Sequence, residues 1–383
     1  MKALVIGAGM MGSAMAYDLV HSSGAVRTLI ADIDQVRARN VAKQIGGEIE
    51  AFRLDTTNLP DVVAAMRRVD VAVGATSYTH NLLLTKAAIQ AGKNFCDLGG
   101  NMTVVGRQVQ LDDEARRAGV LIVPNCGLAP GMACVIASGA SGKFSSVDEI
   151  TIRVGGLPRN PKPPLNYQLV FSPEGLINEY IEPAEVIRDG KVLTVPSMTD
   201  VEKLSFPAPY ESLEAFNTSG GVSTLTRMFT GKARRLDYKT IRYPGHCELF
   251  KSMLDLGFAR SESPDGSGQT NRTLFEELLR RTLPMNAPDV VLMRVTVSGT
   301  ASNSPRTLAY EMVDCYDDQL RMTSMMRTTA FPTSIIARMT VDGTIPATGV
   351  MPPEACVPLD PFLAELKKRK IVINESRTAG PDR

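Results

Sequence analysis

The sequence predicts an α/β protein: a doubly wound parallel sheet, followed by a second domain of mixed α+β character. Three observations predict it. Short apolar runs alternate with amphipathic helical stretches through residues 1–127. The first run ends in a glycine-rich turn that opens a helix. From residue 149 onward the sequence changes to strand-like segments joined by antiparallel turns. A chain of 383 residues is long enough for two domains, and a hydrophobic content of 44% supplies their cores.

Lys2 to Gly7 reads as a short, fully buried strand, and Gly7-Ala-Gly9-Met10-Met11-Gly12 follows at once. A helical stretch runs from Ser13 to Val20, and a second apolar run, Arg27 to Ala31, ends in Asp32. Strand, glycines, helix, strand and an acid twenty residues past Gly12 form the complete dinucleotide-binding fingerprint. Gly7 permits the tight turn. Gly9 has no Cβ to hold off a pyrophosphate, and Gly12 lets the helix pack close to the strand. The helix N-terminus offers N–H groups and a positive dipole end to the phosphates. Gly7, Gly9, Met10, Met11 and Gly12 are therefore the first cofactor-binding candidates.

The βα rhythm continues with a strand at Glu48–Leu54, a helix opened by Asn58 and Pro60, and a strand at Asp70–Gly74. A helix over 81–91, a strand at Asn94–Leu98, a helix over 106–118 and a strand at Val120–Val123 follow. After a helix near 131–142 come a half-buried strand at 149–154, a proline-rich stretch from Pro158 to Pro164, and a hairpin at Glu185–Val195 turning on Asp189-Gly190. Further strands are expected at 235–243, 289–300, 307–316 and 319–325, and a helix over 329–340. Residues 261–270 read as a polar loop and 375–383 as a fraying end. There is no internal repeat of solenoid period.

The formal net charge of +1 argues against a nucleic-acid partner. No apolar stretch is long enough for a membrane span. Met1-Lys2 and the small apolar run after it imitate the start of a signal peptide. The turn-spaced glycines and the βαβ pattern argue against that and lead us to expect a cytoplasmic protein. The six cysteines are scattered without a CxxC, so reduced thiols and no metal are expected.

Several segments carry a family resemblance. They are Gly7 to Gly12, Phe95-Cys-Asp-Leu-Gly-Gly100, Gly127-Leu-Ala-Pro-Gly-Met132, Val154-Gly-Gly-Leu-Pro158, Glu214 to Gly221, Tyr238 to His246 and Gly349-Val-Met-Pro-Pro-Glu354. In these the chain resembles the saccharopine dehydrogenase-like oxidoreductases, and within them the lysine 6-dehydrogenase branch. The resemblance implies a discontinuous nucleotide-binding domain, a central sheet domain that also forms a homodimer or higher homo-oligomer, and a small amino-acid substrate. The expected division is 1–127 plus about 328–352 for the Rossmann domain, 128–327 for the mixed-sheet domain, and 353–383 as a C-terminal segment.

The expected reaction oxidises a primary amine: hydride leaves the carbon bearing nitrogen, and water hydrolyses the resulting imine to an aldehyde and ammonia. The alternatives are a saccharopine-type or carboxynorspermidine-type reductase acting on a secondary amine, and a non-catalytic NAD-binding sensor. Asp32 is placed to bind a ribose 2′-OH and would repel a 2′-phosphate, so NAD is the expected cofactor, with Arg37 and Arg39 near enough to soften the preference. Asp55 ends the third strand, either at the adenine edge or as a turn acid. Ala75, Thr76 and Tyr78 follow the fourth strand, where the nicotinamide half lies in such sheets, and Asn125 ends the sixth. The amine must be neutral before hydride leaves, so a base or a pKa-lowering pocket is required. Asp97, Tyr78 and His246 are the candidates. Gly131, near a helix N-terminus, is a candidate for binding a carboxylate through backbone N–H groups. An α-carboxylate also calls for a cation. Lys239 and Arg242 fall on opposite faces of one strand, and Arg242 is favoured for its planar fork. Thr218 and Ser219 lie in a polar turn suited to the α-amino group.

Overall fold

The computed structural model describes residues 1–22, 26–263, 268–285 and 287–379. The chain forms two compact units, residues 1–140 with 326–372 and residues 141–325 with 373–383.

The first unit is built on a seven-stranded parallel sheet. Its strands are β1 (Lys2–Ile6), β2 (Arg27–Asp32), β3 (Ile49–Arg53), β4 (Val71–Gly74), β5 (Asn94–Asp97), β6 (Leu121–Val123) and, from far along the chain, a short strand at Gly349–Val350. The spatial order places that last strand beside β6, then β5, β4, β1, β2 and β3. The order reverses at β1 and β4, and that switch point is where open sheets of this kind bind ligands. Ala3, Leu4, Val5 and Ile6 are all buried, as a central strand covered on both faces requires. Each such side chain contributes about 1.5–3 kcal/mol of burial, Ala3 less. Helices Met10–His21, Gln35–Ile45, Leu59–Met66 and Asn81–Ala91 are the crossovers. Asp34 caps the second through Val36 N and Arg37 N, and Asn58 caps the third through Asp61 N. The helix expected over 106–118 is two, Met102–Val109 and Asp112–Arg117, with Gln110 and Leu111 between them.

The second unit holds a mixed nine-stranded sheet. In chain order its strands are β7 (Ser146–Pro158), β8 (Ala184–Arg188), β9 (Lys191–Val195), β10 (Glu202–Leu204), β11 (Leu213–Asn217), β12 (Arg235–Arg242), β13 (Asp289–Ala301) and β14 (Ser304–Cys315), closed by Asn374–Ala379. The main path runs β10-β11-β12-β7-β13-β14 and then Asn374–Ala379, with β8 and β9 branching from β12. β12 and β7 are parallel, and the other pairs are antiparallel. Helix Pro173–Ile181, capped by Ser172, packs with Phe216, Phe250 and Phe275 in one core cluster.

Several expectations are corrected. Residues 319–325 are not a strand: Asp317 and Met322 form an isolated bridge around a turn, and helix Ser324–Val341 begins there, five residues before the expected start. Residues 374–379 do not fray but pair with β14, and 380–383 lie outside the described residues. The polar loop expected over 261–270 falls partly outside them as well. Residues 128–140 and 353–372 belong to the first unit rather than to the second domain or a separate tail. No helix among the described residues is long and apolar enough to cross a membrane.

Candidate functional site

In the first unit the glycine-rich loop has the form its sequence expects. Gly7 sits at φ +106°, a conformation that L side chains rarely adopt, and a Cβ there would lie 2.6 Å from Ala75 O. The end of β4, with Ala75 and Thr76, thus abuts the loop. A Cβ on Gly12 would overlap the Gly7 carbonyl, whereas one on Gly9 would meet nothing within 4 Å. Helix Met10–His21 has no side-chain cap at its start. Open space over Gly9, uncapped N–H groups beside it and a buried Thr76 hydroxyl without a partner among the described residues fit the phosphates and ribose of a dinucleotide. Met10 and Met11 open the helix, half-buried.

Asp32 is 8% exposed and already employed. Its Oδ2 accepts from Ala8 N at 2.7 Å and its Oδ1 from Asp34 N at 2.9 Å. It therefore pins the loop from β2, and a carboxylate has lone pairs left for a ribose hydroxyl. Arg37 lies 3.9 Å from Asp32 and from Asp34, so the cation near the ribose position is partly held by acids. Asp55 forms a turn, accepting from Thr57 N at 2.9 Å and Thr57 Oγ1 at 2.7 Å, and those hydrogen bonds lower its pKa.

Asp97 is fully buried. Gln108 Nε2 donates to its Oδ2 at 2.6 Å and Gly99 N to its Oδ1 at 2.7 Å, while Cys126 N donates to its carbonyl at 2.8 Å. Burial pushes its carboxyl up to about 6 against those hydrogen bonds. With each oxygen hydrogen-bonded and no solvent contact, the carboxylate ties the loops after β5 and β6 together in this structure. Asn125, at φ +63°, is the strained residue of the second loop. Tyr78 is half-buried in the short 3₁₀ turn after β4 that Ser77 caps. After Gly131, the first helical N–H groups, Met132 N and Ala133 N, donate to Gly127 O and Leu128 O at 2.8 and 2.9 Å.

In the second unit β12 separates its two cations as its pleat requires. Lys239, 2% exposed, donates from Nζ to Asp200 O and, at 2.9 Å, to Glu202, and lies 3.0 Å from the Asp200 carboxylate. Its charge is met on the face where Arg153 is paired with Glu202 and Asp237. Arg242 faces the other way, 3% exposed. Its Nε donates to the Tyr180 hydroxyl at 2.7 Å and its Nη1 to Ile241 O at 2.9 Å, and its guanidinium lies over the Tyr167 ring at 4.8 Å. Among the described residues it makes no ion pair. Burial works against its charge. Tyr180, Tyr167 and Glu179 more than offset that, and its pKa lies above the ordinary value.

His246, 2% exposed, starts helix His246–Asp255 and stacks with Phe216 and Phe250. Its Nδ1 lies 3.0 Å from Leu165 O, which accepts only, so Nδ1 carries the proton and Nε2 accepts from the Tyr180 hydroxyl at 3.0 Å. Burial, with Arg242 nearby, lowers its pKa to about 3. The ring is neutral and buried, and with both nitrogens engaged it positions Tyr180 in this structure. The result is one directed chain: Arg242 Nε–H to Tyr180, Tyr180 O–H to His246, His246 Nδ1–H to Leu165. Thr218 Oγ1 lies 2.7 Å from Thr240 Oγ1, and both hydroxyls reach Glu179 Oε1, at 3.2 and 2.6 Å. Ser219 contributes its backbone N–H to Glu179 O at 3.1 Å.

The sequence pointed to Arg242, His246 and Thr218, which the structure assembles in one unit, but missed Tyr180, Tyr167 and Glu179. Glu179 and Tyr180 sit on a helix whose signals were a Ser172-Pro173 start and apolar residues at Leu176, Ile177 and Tyr180.

Residues 3–123 match the saccharopine dehydrogenase NADP binding domain, and residues 127–372 match the saccharopine dehydrogenase C-terminal domain. The chain belongs to the saccharopine dehydrogenase family. It is 21% identical to the mitochondrial alpha-aminoadipic semialdehyde synthase of Mus musculus over 81% of this chain and 41% of that one. It is 24% identical to the NADP-dependent, L-glutamate-forming saccharopine dehydrogenase of Pyricularia oryzae over 59% of this chain and 52% of that one. The chain thus spans about half the length of the curated relatives it matches. Its fold is that of the apo saccharopine dehydrogenase (L-Glu forming) from Saccharomyces cerevisiae, with a TM-score of 0.82, 19% identity, and coverage of 99% of this chain and 100% of that one.

Proposed function

We propose that the protein is an amine dehydrogenase that oxidises the ε-carbon of L-lysine with NAD, giving the 6-semialdehyde and ammonia. The observation that carries this reading is the single unanswered cation. Of the buried cations of the second unit, Arg153 and Lys239 are paired with carboxylates, and Arg242 alone is not, among the described residues. A buried guanidinium cannot discharge by losing a proton, so a ligand anion completes it. One such site suits a substrate with one carboxylate, which lysine is. Tyr180 and His246 hold the guanidinium fork in register to receive it in bidentate fashion.

The bound nicotinamide would accept the hydride. Gly7, Gly9, Met10, Met11 and Gly12 would hold its phosphates, Asp32 the adenosine ribose, and Ala75, Thr76 and Asn125 the half nearer the chemistry. The Asp32 carboxylate supports NAD over NADP, although the family takes its domain name from NADP. With Asp97 and His246 engaged internally, Tyr78 is the remaining base candidate. We also expect a cytoplasmic homodimer or higher oligomer with no nucleic-acid or membrane partner.

A second reading, oxidation of the secondary amine saccharopine, is supported by the names of the family and of its relatives. Assaying reduced-nicotinamide absorbance with NAD and either L-lysine or saccharopine at alkaline pH separates the two. Reduction with lysine supports the first reading. Reduction with saccharopine alone moves the protein to the second.

A further inference from the structure

Glu179 and Tyr180 are successive residues near the end of helix Pro173–Ile181, and each holds a different residue of β12. Tyr180 takes Arg242 Nε at 2.7 Å, and Glu179 Oε1 takes Thr240 Oγ1 at 2.6 Å. Thr240 and Arg242 are alternate residues on one face of the strand, about 6.7 Å apart along it. The acid and the guanidinium are therefore neighbours, and Glu179 helps hold Arg242 charged. Yet no ion pair within 4.0 Å joins them among the described residues. Glu179 Oε2 accepts no hydrogen bond from those residues either. Two opposite charges that do not pair with each other, each with an unused edge, are together the complement of a zwitterion.

The hydroxyls agree in polarity. Thr240 spends its one proton on Glu179. Thr218, 2.7 Å from Thr240, then donates to it and keeps lone pairs to accept with. An ammonium group brings three donors, and Glu179 Oε2 with Thr218 Oγ1 offers acceptors for them. A second feature marks a ligand at the anionic end. Tyr167 is 2% exposed, its ring lies under the Arg242 guanidinium, and its hydroxyl has no hydrogen-bond partner among the described residues.

We propose that Glu179, with the Thr218 and Thr240 hydroxyls, seats the substrate's α-ammonium group, so that this unit binds a complete α-amino-acid head and not a carboxylate alone. The inference rests on Arg242 as the carboxylate grip.

Calorimetric titration of the protein saturated with NADH, which takes no hydride, tests it by binding alone. The ligands are L-lysine and 6-aminohexanoate, which has the same chain and carboxylate but lacks the α-amino group. Glu179→Gln is expected to weaken L-lysine by roughly 10- to 100-fold, the worth of a hydrogen bond to a charged group, and 6-aminohexanoate by less than about threefold. Thr218→Ala, which leaves the acid in place, is expected to act in the same direction by a smaller factor. Equal losses for the two ligands, unchanged lysine affinity, or a wild-type protein that binds neither lysine nor saccharopine would overturn the proposal. Selective loss in a protein that reduces no nicotinamide with lysine would leave the head assignment standing and sink only the lysine-oxidation reading. An Arg242→Ala variant that keeps full affinity for both ligands would overturn the carboxylate grip and this inference with it.

Discussion

His246 Nε2 lies 3.0 Å from the Tyr180 hydroxyl, and this contact sets the direction of a buried hydrogen-bond chain. With the Nδ1 proton committed to Leu165 O, the ring can only accept from Tyr180. The phenol oxygen is thereby turned toward Arg242 Nε. Tyr180→Phe removes a hydroxyl that serves two buried polar groups. We expect a stability loss of about 1–3 kcal/mol in urea unfolding and a KM for the amino-acid substrate raised several-fold, with kcat changed much less. A kcat loss equal to the KM change would place Tyr180 in the chemistry instead.

Arg242→Ala should raise KM for L-lysine by roughly 100-fold, the cost of a lost charge-assisted pair, while a carboxylate-free diamine of the same length loses far less. Equal effects on the two amines would move the carboxylate grip elsewhere.

Asp32 pins the loop through Ala8 N, and in the proposed reading it also binds the adenosine ribose. Asp32→Ala should narrow the ratio of kcat/KM for NAD over NADP by roughly tenfold or more. Asp32→Asn, which keeps an acceptor for Ala8 N, should do the same with less loss of thermal stability. An unchanged cofactor ratio in both variants would sink this role.

Burial pushes the Asp97 carboxyl up to about 6, whereas in the unfolded chain it titrates near 4. Between those values the native state binds the extra proton, so this group's contribution to stability falls as pH rises through the window. Asp97→Asn removes that dependence. Its amide can still accept from Gly99 N, and a flip of the Gln108 amide would exchange the Nε2 bond to Thr85 for one from the new donor to Gln108 Oε1, which has no partner among the described residues; that exchange shifts stability equally at every pH. The Asn variant should therefore gain stability relative to wild type from about pH 4.5 to about pH 7 in paired denaturation curves. A pH-independent difference would contradict the buried-carboxyl account.

The Rossmann half was legible because its signals are local: the glycines, the strand ends and Asp32 lie within one βαβ unit. The opposition of Lys239 and Arg242 was legible for a similar reason, since a two-residue pleat fixes it. What each cation meets across the fold was not. Tyr180 and Arg242 are 62 residues apart in sequence, and no periodicity links them. Pro244-Gly245 marked a turn before His246 but not the carbonyl that fixes its tautomer. Residues Asn374–Ala379 carry almost no apolar signal, because an edge strand is held chiefly by backbone hydrogen bonds, here to β14. The place of Asp97 at a strand's carboxyl end suits a catalytic acid and a loop tie equally, and nothing local announced its contact with Gln108, eleven residues on.

The most direct test of the account is the stoichiometry of ammonium release against nicotinamide reduction, measured with purified protein, NAD and L-lysine. Oxidation at a primary amine predicts one ammonium for each nicotinamide reduced. Nicotinamide reduction without ammonium, or glutamate released from saccharopine while lysine stays inert, would contradict it.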